Sequence, residues 1–81
     1  MKVRAQLFSR LKEIAGEPAI DVEVHENASA GELFASLVGK YPALRSFENS
    51  VLFGIGVEFV GKEHKLRDGD VVAIMPPVQG G

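Results

Sequence analysis

The sequence predicts an α+β fold, a mixed β-sheet packed on one main helix. Three observations carry that expectation. Residues 2–8 and 20–25 alternate apolar and polar side chains with the period of two that belongs to half-buried strands. Residues 29–41 repeat apolar side chains at helical spacing over about three turns. Residues 51–56 and 71–75 are dense in β-formers and have no second long helical pattern between them. A single helix with several one-faced strands buries its apolar surface most economically as two layers.

In the first strand Val3, Ala5 and Leu7 point one way, and Lys2, Arg4, Gln6 and Phe8 the other. Phe8 is thus an aromatic on the polar parity. Ser9 is read as the N-cap of a short helix with Leu11, Ile14 and Ala15 on one stripe, stopped by Gly16. After a Glu17-Pro18 turn, Ile20, Val22 and Val24 alternate with Asp21, Glu23 and His25. The short connection predicts an antiparallel pair. His25, on the polar parity among acidic residues, is read as solvated, because a metal site needs further ligands.

Ser29-Ala30-Gly31-Glu32 has the spacing of a capping box and opens the main helix. Leu33, Phe34, Leu37, Val38 and Tyr41 form its apolar face. Gly39 weakens the last turn and Pro42 ends it. Residues 43–48 add a helical turn whose Leu44 and Phe47 close the core edge. In the third strand Val51, Phe53 and Ile55 are placed inward, leaving Gly54 and Gly56 on the other face, where a backbone can approach closely. Gly54-x-Gly56 is no dinucleotide fingerprint, since the third glycine and the following helix are missing. Gly56-Val57 turns the chain into a short strand, Glu58-Phe59-Val60. A polar loop with a solvated His64 follows, anchored by Leu66. Asp68-Gly69-Asp70 is a turn signal, with calcium binding the weaker alternative because two aspartates are too few oxygen ligands.

The last strand, Val71-Val72-Ala73-Ile74-Met75, is apolar on both parities. That pattern fits a strand buried on both faces, or a central strand whose outer face awaits a partner. With Val72 and Ile74 inward, Val71, Ala73 and Met75 lie outward. If the first and last strands are parallel central neighbours, Phe8 and Met75 stand side by side, and Phe59 extends the patch. These three residues are the expected docking contacts.

The final six residues are Pro76-Pro77-Val78-Gln79-Gly80-Gly81. The prolines end the strand, having fixed φ and no N–H for a sheet. Gly80 and Gly81 lack a Cβ and allow the closest approach to another surface. Residues 77–81 reach about 17 Å when extended. A frayed end would also show glycines, but it does not account for paired prolines directly after an apolar strand. The expected roles are a tether over residues 76–80 and a reactive carboxylate on Gly81.

Composition narrows the function classes. A chain of 81 residues is one domain, with 46% hydrophobic and 25% charged residues, a globular balance. The absence of cysteine removes disulfides, thiolate zinc sites and a cysteine nucleophile. A formal net charge of −2 without a basic cluster argues against nucleic acid. No apolar run approaches the ~20 residues of a membrane span, and the start lacks a signal-peptide core, so a cytoplasmic protein is expected.

The opening Lys2 to Gly16, the Leu66-Arg67-Asp68-Gly69-Asp70-Val71-Val72 segment and the Pro76–Gly81 tail resemble the ubiquitin-like sulfur carriers of the MoaD/ThiS family, most closely its molybdopterin synthase small-subunit branch. The resemblance covers the whole chain. One departure is Gly56-Val57, where that branch often has an asparagine and a polar residue. The resemblance implies a β-grasp domain over residues 1–75 and a flexible tail over 76–81. It implies that an E1-like (MoeB-like) enzyme adenylates Gly81 with ATP and magnesium, that a sulfur donor protein converts it to a thiocarboxylate, and that the tail enters the large synthase subunit (MoaE-like). No cofactor or metal would be bound by this chain itself. Sulfur carriage for thiamine or tRNA thiolation, and attachment to lysines as a ubiquitin-like modifier, remain open beside it.

Overall fold

The computed structural model describes residues 1–77. The elements are β1 (Lys2–Leu7), α1 (Arg10–Ala15), β2 (Ala19–Glu23), α2 (Ala30–Lys40), a 3-10 helix (Pro42–Phe47), β3 (Leu52–Ile55), β4 (Glu58–Val60) and β5 (Val71–Met75). Together the strands form a five-stranded sheet in the order β2-β1-β5-β3-β4. β1 and β5 are parallel central neighbours, and the pairs β1–β2, β3–β5 and β3–β4 are antiparallel. This is the mixed sheet on one main helix that the alternation predicts.

The inner face of the sheet carries Val3, Ala5, Leu7, Phe53, Val72 and Ile74, all buried. α2 lays Leu33, Phe34, Leu37 and Val38 into the same core. The Phe34 ring meets Phe53 edge-on, at a centroid distance of 6.4 Å and an angle of 75°. Leu11, Leu44 and Leu66 seal the margins from α1, the 3-10 helix and the loop before β5.

The start of α2 follows the capping box. Ser29 Oγ accepts the Glu32 N–H at 3.2 Å, and a Glu32 carboxylate oxygen accepts the Ser29 N–H at 2.9 Å. Tyr41 is the C-cap and only half-buried, its hydroxyl donating to Glu17 at 3.3 Å, so it sits at the rim of the core rather than inside it.

Ser9 departs from expectation. It precedes α1 but makes no side-chain cap, because its φ of 52° and ψ of −127° lie outside the extended region that aims an N-cap oxygen at the first turn. A sharp bend is imposed there. Phe8 N–H donates to the Ile74 carbonyl at 3.3 Å while the Phe8 carbonyl already accepts from Leu11 at 3.1 Å. Gly16 does end α1, at a φ of 77°.

The Asp68-Gly69-Asp70 segment is a turn. Asp68 accepts the Lys2 N–H and Asp70 accepts the Arg67 N–H, each at 2.8 Å, with Gly69 at a φ of 86°. Backbone amides thus engage both carboxylates. No helix among the described residues is long and apolar enough to cross a membrane.

Candidate functional site

α2 covers one face of the sheet, and the open face is where the site residues gather. Their placement follows from register. Leu52 pairs with Met75 across β3–β5. Leu7 pairs with Ile74 across β1–β5, so Phe8, one residue on, comes level with Met75. A row Phe8–Met75–Leu52 therefore crosses three strands. The next row is Gln6–Ala73–Gly54–Phe59, from the pairs Gln6↔Ala73, Gly54↔Ala73 and Gly54↔Phe59. Val71 lies one step further, opposite Arg4.

Much of this face is apolar. The exposed large hydrophobic residues among those described are Phe8 (43%), Leu52 (37%), Val57 (101%), Phe59 (72%) and Val71 (44%). Four lie on the outward parity of the sheet and the fifth, Val57, is at the tip of the β3–β4 hairpin. Scattered exposed hydrophobes need no explanation, but a contiguous set marks an interaction surface. Of the two readings of the last strand, a central strand with an unpartnered outer face is the one observed: Val72 and Ile74 are buried, Val71 exposed.

Gly54 gives the face its relief. A Cβ there would lie 3.5 Å from the Met75 methyl and 3.8 Å from the Ala73 Cβ, so the glycine leaves a depression bounded by Val57, Phe59, Ala73 and Met75. On the β1–β2 side the surface turns polar. Arg4 Nε donates to Asp21 at 2.8 Å across the strands, and that hydrogen bond holds the Asp21 carboxyl below its ordinary value.

Phe8, Phe59 and Met75 are thus brought onto one face. Pro76 and Pro77 follow β5 directly, half-buried and outside any strand, at the same end as Phe8. Val78, Gln79, Gly80 and Gly81 lie outside the described residues. Among the described residues no group of three or more His, Asp or Glu side chains could hold a metal ion. Sequence reasoning missed Leu52, although the parity that put Phe53 inward and Gly54 outward already assigned it to this face. It also read His25 as merely solvated. His25 is exposed, but both ring nitrogens are engaged, by the Glu26 carbonyl at 2.7 Å and by Glu32 at 2.8 Å.

The sequence model of the ThiS family matches residues 5–81, spanning the domain, the β5 strand and the Gly-Gly end. The chain belongs to the ThiS family. A curated relative, the molybdopterin synthase sulfur carrier subunit of Chlamydomonas reinhardtii, is 34% identical, with all of both chains covered. Another curated relative, small archaeal modifier protein 1 of Haloferax volcanii, is also 34% identical, with 94% of this chain and 97% of that protein covered. The crystal structure of SAMP1 from Haloferax volcanii superposes with a TM-score of 0.84 at 30% identity, with both chains covered completely. The fold is accordingly the ubiquitin-like β-grasp, and the chain is a ubiquitin-like sulfur carrier of the ThiS family.

Proposed function

We propose that this ThiS-family chain is the sulfur-carrying subunit of a molybdopterin synthase, working through a thiocarboxylate on Gly81. The observation that carries the reading is the match of the family across residues 5–81 together with full-length identity to a molybdopterin synthase sulfur carrier subunit. A carboxylate is a poor electrophile. Its oxygen first attacks ATP on an E1-like, magnesium-dependent enzyme, forming an acyl-adenylate and releasing pyrophosphate. A persulfide on a donor protein then displaces AMP through its outer sulfur, giving an acyl disulfide. A thiol attacks the donor's sulfur, forming a disulfide with the donor and leaving the thiocarboxylate on Gly81. In the synthase that sulfur passes to the pterin precursor, and water returns the oxygen to Gly81. The chain's own part is to present the end. Pro76 and Pro77 stiffen the exit from β5, Val78 and Gln79 span the channel, and Gly80 and Gly81 thread where a Cβ would collide. Catalytic acids and bases would belong to the large subunit, a MoaE-like protein docked on Phe8, Phe59 and Met75.

The test is intact mass spectrometry after incubation with an activating enzyme, ATP, magnesium and a sulfur source. Replacement of one oxygen by sulfur at Gly81 is expected in the wild type. It should be lost on deletion of Gly81 and on extension past it; sulfur at the new end of an extended chain would refute the threading role. A second reading is favoured by the equal identity to a small archaeal modifier protein, namely attachment of Gly81 to lysines of other proteins. Isopeptide-linked products in native cells would support that use.

A further inference from the structure

His25 and Glu32 take no part in the sulfur-carrier reading and stand apart from the open sheet face. His25 follows β2 on the connector to α2. Its Nδ1 lies 2.7 Å from the Glu26 carbonyl oxygen, and its Nε2 lies 2.8 Å from Glu32 Oε2. Neither a carbonyl nor an ionised carboxylate can donate a hydrogen bond. A neutral imidazole carries one N–H, so either tautomer would leave a ring lone pair facing an oxygen at hydrogen-bond distance. Only the imidazolium satisfies both contacts. The other Glu32 oxygen is the one that accepts the Ser29 N–H, so the histidine is joined to the capping box of α2. The connector between them bends through Asn27 at a φ of 67°.

We propose that His25 is a pH-operated clasp, fastening the 24–29 connector to the first turn of α2 as an imidazolium and releasing it on deprotonation. Every element around it contributes charge. α2 supplies Glu32, the connector supplies Glu26, and the end of β2 supplies Glu23, which lines the same depression as His25 and Glu32. Lys65, in the loop that bridges to Ser29, opposes the cation. The Met1 ammonium engages Glu26 at 3.9 Å. The balance favours the charged form. His25 is raised above its ordinary value of 6.5, chiefly by the Glu32 hydrogen bond and then by the Glu26 carbonyl. Glu32 is lowered from 4.5 to about 2, chiefly by the His25 hydrogen bond.

The sign follows from linkage. A raised histidine contributes stability that is fully present below its ordinary value and disappears as pH rises through the folded-state value. A lowered carboxylate contributes stability that is present above its ordinary value and disappears as pH falls toward about 2. The clasp is therefore strongest between about 4.5 and 6.5 and opens on the alkaline side through the histidine.

The experiment is an NMR titration of the His25 ring in the wild type and in Glu32→Gln, with amide exchange at Ser29, Ala30 and Gly31 followed in the same samples. Glutamine keeps an oxygen for the Ser29 amide and removes the charge. The His25 midpoint is expected to fall in Glu32→Gln. Exchange at the three amides should rise across the wild-type midpoint more steeply than in Glu32→Gln or His25→Gln. Coincident midpoints in wild type and Glu32→Gln, or exchange profiles that superimpose in all three proteins, would overturn the proposal.

Discussion

Gly54 and Gly56 stand two positions apart and answer to different constraints. Gly56, at a φ of 64°, opens the two-residue turn between β3 and β4, where a positive φ at the first turn position suits the twist of the strands. A Cβ there is strained whatever the space around it. Gly54 has no positive φ, and a Cβ on it would meet only ordinary contacts beyond 3.4 Å. Gly56→Ala is therefore expected to destabilise by about 1–2 kcal/mol. Gly54→Ala should stabilise by about 0.4–1 kcal/mol, because the unfolded chain loses more freedom than the strand. Urea denaturation of the two variants decides it; a stability loss in Gly54→Ala equal to that of Gly56→Ala would show that the depression on the open face is part of the packing. The glycine pair was legible in the sequence as an outward-facing set, since parity alone separates it from Phe53. His25 was not. Its partner lies seven residues on, across a connector whose course depends on Asn27 adopting a positive φ, and no alternation or spacing encodes that.

At the scale of single elements, α2 and α1 contrast. α2 carries its own signals: a serine with extended φ/ψ at −94° and 167°, a glutamate three residues on, an apolar stripe and a proline beyond the end. Each is a local feature, so sequence and structure agree on its start, on the burial of Leu33, Phe34, Leu37 and Val38, and on its stop, with Tyr41 alone moved to the rim as the C-cap. Ser29→Ala should cost about 1 kcal/mol through loss of the cap. Phe34→Ala should cost about 3–5 kcal/mol and Leu37→Ala about 2–5 kcal/mol, since both side chains are buried and Phe34 braces Phe53. Guanidinium unfolding curves with an unchanged slope would establish these as changes in native-state stability. α1 is too short to dictate its own entry. Residue type made Ser9 an expected cap, but the hydrogen bonds of Phe8 to Ile74 and Leu11 bend the chain so that the serine hydroxyl takes no cap. Tertiary pairing with β5 overrides local preference there, which is why the boundary of α1 was legible and its capping was not.

The whole molecule divides its labour between two faces of one sheet. The inner face and α2 hold the fold, while the open face carries Phe8, Leu52, Phe59 and Val71 exposed beside the strand end at Met75. Parity made this division visible in advance for Phe8, Val71 and Met75, because the side-chain period of a strand is two whatever it packs against. Strand order and register were needed to align Phe8, Met75 and Leu52 in one row beside Pro76. If the row is an anchor for the large synthase subunit, its residues should matter for binding and little for folding. Binding energy concentrates in a few desolvated apolar anchors near an interface centre. Phe8→Ala, Leu52→Ala and Met75→Ala are each partly exposed truncations and should change folding stability less than Phe34→Ala or Leu37→Ala does. At least one of Phe8→Ala and Met75→Ala should weaken binding to the large subunit by more than about 1.4 kcal/mol, a factor of ten in Kd. Phe59→Ala tests how far the surface extends toward the hairpin, whose tip carries the fully exposed Val57. Titration calorimetry of each variant against the large subunit, with melting temperatures measured on the same samples, separates the two roles. Wild-type affinity in both Phe8→Ala and Met75→Ala would move the docking surface off this row, even where sulfur loading at Gly81 is intact.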